Sequence, residues 1–124
     1  MNSNANNERL YLIWKNPVIG YTFVVGALTQ DNGYVFKYGY EYKRAKREGF
    51  KPLIAFADTD KAYHSAKLFF AFSSRLPDRK RPDIDNILSR NGLEEYDEFQ
   101  LLKATGGRLP IDNIYFISTH GMAE

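Results

Sequence analysis

Cysteine is absent from the chain. That excludes disulfide bridges, thiolate metal ligands and cysteine nucleophiles. Histidine occurs twice, as His64 and His120, and a metal centre needs three or four ligands in fixed geometry. His64, near Asp58 and Asp60, therefore reads as a solvated residue of a turn, and His120 as part of a tail. No apolar run approaches the roughly 20 residues that a membrane-crossing helix needs. The formal net charge is only +2, whereas a dedicated nucleic-acid binder shows a stronger basic excess. The opening residues, Met1-Asn-Ser-Asn-Ala-Asn-Asn7, lack the basic and apolar segments of a secretory leader. These absences lead to the expectation of a cytoplasmic domain without cofactors. It spans residues 9–118, between tails at 1–8 and 119–124.

What is present is an aromatic core in a chain of one-domain length. The 124 residues allow one domain. Nine Phe, nine Tyr and one Trp supply large buried areas each. Arg9 to Trp14 is apolar and loosely alternating, so it reads as a strand. Tyr21 to Thr29 is rich in aromatic and β-branched residues, the strongest strand signal in the chain. Asn32-Gly33 follows, and both residues tolerate positive φ, which favours a tight hairpin. Tyr34, Phe36 and Tyr38 then share one face of a second hairpin strand, with Val35 and Lys37 on the other. Asn113 to Ile117 reads as a closing strand.

Short helices fill the interval. Tyr40 to Glu48 is a charged helix that Gly49 ends. Phe50 to Ala57 reads as apolar and mostly extended. Ser65 is placed to cap a helix over Ala66 to Ser74, with Leu68, Phe69, Phe72 and Leu76 at core-facing spacing and Pro77 as the stop. Asp83 is placed to cap Ile84 to Asn91. Asp97 and Gln100 form the outline of a capping box before Glu98 to Ala104. The fold class is therefore α+β: a small antiparallel sheet, made of a hairpin plus terminal strands, packed with three to four short helices.

Few residues invite a chemical role. Helix starts attract acids electrostatically, which accounts for Asp83, Asp85, Asp97 and Glu98 without catalysis. Gly106-Gly107-Arg108 lies at a helix C-terminus, where exposed carbonyls disfavour an anion; Arg108 remains free to reach a partner. Lys43, Arg44, Lys46, Arg47 and Lys51 spread around a helix and read as a solvated face. Arg75, Arg79, Lys80 and Arg81 cluster in a loop that Pro77 and Pro82 stiffen, expected to be exposed. That loop serves either solubility or contact with an acidic protein surface or a nucleic-acid backbone. A sheet this small cannot bury every tyrosine, and exposed Tyr suits interface centres. Tyr40 and Tyr42 are the candidates.

Several of these segments, taken in order, resemble one family. The hairpin Val25 to Tyr38, the aromatic stretch Leu68 to Asp78 with its Leu-Pro, the helix and Gly turn Phe99 to Gly107, and the strand Asn113 to Ile117 are similar to the N-terminal subdomain of HipA-type toxin kinases. The chain departs from that pattern where Arg108-Leu-Pro-Ile-Asp112 replaces a Gly-rich step. The kinase half is missing: no phosphate-cradling Gly loop, Lys–Glu pair or catalytic Asp loop can be assembled. The resemblance implies a non-enzymatic module for protein contacts. Its implied partner is a HipA-like kinase or a DNA-binding antitoxin, as in the tripartite HipBST arrangement. Docking would run through Tyr40, Tyr42, Arg75, Arg79, Lys80, Arg81 and Arg108. A nucleic-acid-associated accessory module, of the kind placed before a HIRAN domain, is the other implication, and the length leaves open whether the chain is whole or a piece.

Overall fold

Residues 8–118 are described in the computed structural model. The expected tails at 1–7 and 119–124, with His120, lie outside them. Glu8, grouped with the first tail by its polarity, instead opens strand β1 (Glu8–Lys15). Its carboxylate accepts hydrogen bonds from Gln100 Nε2 and Lys103 Nζ, each at 2.7 Å. Strands β2 (Thr22–Gln30) and β3 (Tyr34–Tyr38) form the expected hairpin. Asn32 and Gly33 in its turn both have positive φ, 53° and 124°. A short strand β4 (Tyr63–Ser65) and the closing β5 (Ile114–Ser118) complete the sheet. The order is β4-β3-β2-β1-β5, antiparallel at every pairing, with β2 central. The α+β class is therefore as expected, with one strand more.

A bulge aligns the core. Leu10 faces Leu28 and Leu12 faces Gly26, but Ile13 then faces Val24 and Trp14 faces Phe23. Val25 is the extra residue on β2. One extra residue reverses the alternation, so odd-numbered Phe23 joins even-numbered Leu28 in the same core with Leu10, Leu12 and Trp14. Gly26 has a separate reason. A Cβ there would lie 2.9 Å from the Lys37 carbonyl and 3.0 Å from the Phe36 ring. Only glycine lets Phe36 pack this closely.

Four helices accompany the sheet: α1 (Tyr42–Arg47), α2 (Phe70–Ser73), α3 (Ile84–Arg90) and α4 (Glu98–Thr105). Phe99 and Leu102 of α4 and Phe72 of α2 are fully buried, as their spacing predicts. Five local expectations are corrected. Ser65 caps no helix; it ends β4 opposite Tyr34, and its Oγ accepts from Lys67 N at 3.2 Å. Phe69 keeps an extended ψ of 136° and delays α2 to Phe70, so Phe69 itself is only half-buried. The Phe50 to Ala57 stretch contains a 3-10 turn at Ile54–Phe56, which carries Phe56 under the sheet. Asp83 precedes α3 without capping it, because Arg81 occupies its carboxylate. At α4 the cap is half the expected box: Asp97 Oδ1 accepts from Gln100 N at 3.1 Å, while the Gln100 amide reaches Glu8.

Candidate functional site

Arg75 is not exposed. It is 9% accessible, against the expectation that grouped it with Arg79, Lys80 and Arg81. The cause is local. Helix α2 stops at Ser73, and the tight turn after it aims Arg75 at the junction of α4 and β5. There Nε donates to the Gly107 carbonyl at 2.6 Å. Nη1 and Nη2 grip the two Asp112 carboxylate oxygens at 2.9 and 2.8 Å, and Nη2 also donates to the Ile114 carbonyl at 3.0 Å. This is the paired fork that suits arginine and carboxylate. The bond to Arg75 holds the Asp112 carboxyl below its ordinary value. The same contacts blunt the outer edge of β5, since Ile114 C=O goes to Arg75 and Phe116 N–H to the Gly106 carbonyl at 2.8 Å. Gly107 has φ +59°, and a Cβ on it would meet Leu102 Cδ1 at 2.6 Å. No linear pattern links residues 75 and 112; the partner lies inside the segment where the chain departs from the HipA-like pattern.

Beside this pair is an apolar depression of about 520 Å³. Pro52, Leu53, Ile54, Ala71 and Ile114 line it, with Arg75 and Asp112 as its polar part. Ile54 is 98% exposed. Phe70, next to the lining Ala71, is 81% exposed, and Ile111, next to Asp112, is 85% exposed. Scattered exposed aliphatics are ordinary; here one large exposed side chain lines the depression and two more stand next in sequence to its lining residues. Sequence reasoning missed these residues. Ile54 lies in a stretch read as extended, Phe70 one step off the core-facing spacing, and Ile111 in a loop. The available signal was a large apolar residue one or two places after a loop proline, Pro52 or Pro110.

The remaining basic loop is exposed and partly engaged with itself. Arg79 lies over the Tyr96 ring, 4.6 Å from its centroid. Arg81 grips Asp83 through two bonds of 2.9 and 3.0 Å. Tyr96 Oη donates to the Pro77 carbonyl at 2.6 Å, and Asp78 Oδ1 accepts from Lys80 N at 2.8 Å. Among the described residues the Lys80 ammonium has no ion-pair partner. Arg108 lies apart from this loop's contacts, stacked 3.7 Å above Tyr115.

Tyr40 and Tyr42 line one groove with Lys37, Lys43, Lys46 and Arg47. Tyr42 is half-buried against Tyr38 and Phe50, at ring separations of 5.3 and 6.1 Å. Tyr40 is 62% exposed and has φ +59°. A bulky residue in that region is an outlier. Its ring meets Tyr11 edge-on at 5.4 Å, and its hydroxyl accepts from Arg9 Nη1 at 3.4 Å. Those exposed contacts are weak. Tyr40→Gly will therefore change stability by less than about 1 kcal/mol, since glycine adopts this φ without strain. Urea unfolding checks it, and a loss of several kcal/mol would mean that the ring serves the fold. Tyr38 behaves differently: burial pushes its phenol up to about 12, so it stays protonated while accepting from Leu53 N at 2.9 Å.

Among the described residues no group of three or more His, Asp or Glu could hold a metal ion, and no helix is long and apolar enough to cross a membrane. His64 stands on β4 opposite Val35, on the exposed side. The family model described as HipA N-terminal domain matches residues 17–110. That span runs from before β2 to just beyond α4, and takes in Arg75 but not Asp112. No curated protein matches the chain.

Proposed function

The chain belongs to the HipA N-terminal domain family, and from that membership we propose that it is a non-catalytic docking module that regulates a HipA-like kinase of a toxin–antitoxin system. The observation that carries this reading is the apolar depression that exposed Ile54 lines, with exposed Phe70 and Ile111 next in sequence to the lining residues Ala71 and Asp112. Seating a partner there removes large aliphatic and aromatic side chains from water, worth about 1.5–3 kcal/mol for each one fully covered. The Arg75–Asp112 pair is already formed, so a partner covers a satisfied ion pair and leaves no lone charge stranded. Arg79, Lys80 and Arg81 act at longer range, speeding encounter with an acidic partner surface.

Titration against a HipA-type kinase core tests the proposal. Ile54→Asp and Ile111→Asp alter exposed positions, so the fold is kept and affinity falls at least about tenfold, or 1.4 kcal/mol. Replacing Arg79, Lys80 and Arg81 together by alanine mainly slows association and flattens its salt dependence. Unchanged affinity in both aspartate variants would refute docking at this surface. Binding to duplex DNA with a steep salt dependence would favour a nucleic-acid-associated accessory role instead.

A further inference from the structure

The groove beside α1 joins two features that the depression lacks. The first is an incomplete sheet edge. Strand β4 pairs with β3 only from Tyr34 to Phe36, while β3 runs on through Lys37 and Tyr38. Past Phe36 the outer edge of β3 has no strand beside it among the described residues. The Lys37 carbonyl turns to β2, close to Gly26, so Tyr38 is the position whose main-chain groups face that edge, and both residues line the groove.

The second feature is charge. Lys37, Lys43, Lys46 and Arg47 line the groove, and Asp60 is the single carboxylate in that lining. None of these four cations takes part in an ion pair among the described residues. Arg44, the α1 cation that is paired, with Glu41 at 3.3 Å, is not part of the lining. Lys46 and Arg47 lie in the last turn of α1, where cations favour the helix dipole. Lys37 on β3 has no such reason to be there.

We infer that this groove seats an extended acidic segment of a protein partner, which lengthens the sheet past the end of β4 and sets its carboxylates against Lys37, Lys43, Lys46 and Arg47. The inference rests on the reading of the chain as a docking module and supplies the chemistry of what it docks. Adding a strand to an open sheet edge is a general mode of peptide recognition, with main-chain bonds for affinity and side-chain contacts for specificity. A nucleic acid has no backbone amides to offer that edge, and Asp60 opposes an unbroken run of phosphates. A peptide can place an amide or a cation opposite Asp60. Tyr40 and Tyr42 supply aromatic surface of the kind favoured at interface centres.

The test uses the intact protein and a fluorescein-labelled peptide of alternating glutamate and alanine. Fluorescence anisotropy is expected to show saturable binding that added salt weakens. Amide resonances are expected to shift between residues 37 and 47. Lys43→Glu combined with Arg47→Glu is expected to weaken binding at least about tenfold with the thermal midpoint preserved, while Arg90→Glu, at an exposed position of α3 outside the groove, leaves it unchanged. A lysine–alanine peptide of the same length should not bind. Absence of binding by the acidic peptide, equal binding by the double variant, or tighter binding of a single-stranded oligonucleotide through the same residues would overturn the inference. Ile54 takes no part here, so loss of the docking reading would appear in the Ile54→Asp titration and loss of this one in the peptide titration.

Discussion

Phe72→Ala will lower the unfolding free energy by about 3–5 kcal/mol, the usual cost of truncating a buried phenylalanine. Phe72 is fully buried, and its ring is the meeting point of four others. Its centroid lies 5.3 Å from both Phe36 and Phe56, 4.9 Å from Phe116 and 6.0 Å from Phe69. Those rings come from β3, the 3-10 turn, β5 and the approach to α2. Removing the ring opens a cavity between separate elements, which cannot all collapse into it. A domain with total stability of about 5–15 kcal/mol loses a large part of it. Urea denaturation monitored through Trp14 fluorescence measures the change, and a loss below about 1 kcal/mol would place α2 outside the core.

Arg75→Ala will destabilise by about 3–5 kcal/mol, the range for removing one member of a buried ion pair. The Gly107 and Ile114 carbonyls lose their donor and the Asp112 carboxylate loses its counter-charge. Asp112 is partly exposed, so water compensates in part and the lower end of that range applies. The effect depends on pH with a definite sign. Asp112 titrates below its ordinary 3.8 in the folded state. The contribution of the pair is therefore whole above about pH 4 and declines as pH falls through the lower folded value. Stability of the native chain should drop on acidification through that window more steeply than stability of Arg75→Ala. Parallel acid slopes for the two proteins would show that the pair contributes nothing. An Arg75→Lys variant should recover only part of the loss, because an ammonium cannot bond both carboxylate oxygens and two carbonyls in one plane.

The sheet was legible in the sequence wherever alternation and turn chemistry agreed. β2, the Asn32-Gly33 turn and β3 follow from β-branched and aromatic residues around a pair that tolerates positive φ. β4 was not legible, because Tyr63–Ser65 is three residues long and gains its strand character only from β3. The bulge at Val25 was hidden as well, since it changes the facing of residues without changing their hydrophobicity. The exposed loop cations were half legible. Pro77 and Pro82 do bracket Arg79, Lys80 and Arg81, but Arg75 only looks like their neighbour in a linear reading. Its partner Asp112 is 37 residues away and beyond the family-matched span. The apolar depression was the least legible feature, because its rim is assembled from a 3-10 turn, the start of α2 and the loop before β5.

Amide hydrogen exchange across the complex decides whether a kinase core docks at the apolar depression. Exchange would be followed on the protein alone and when saturated with a HipA-type kinase core. Slowed exchange is expected over residues 53–55, 70–71 and 111–114, with residues 78–83 of the basic loop changed far less. Protection confined to residues 78–83, or no protection at Ile54 and Ile111 in a complex that has formed, would contradict docking there.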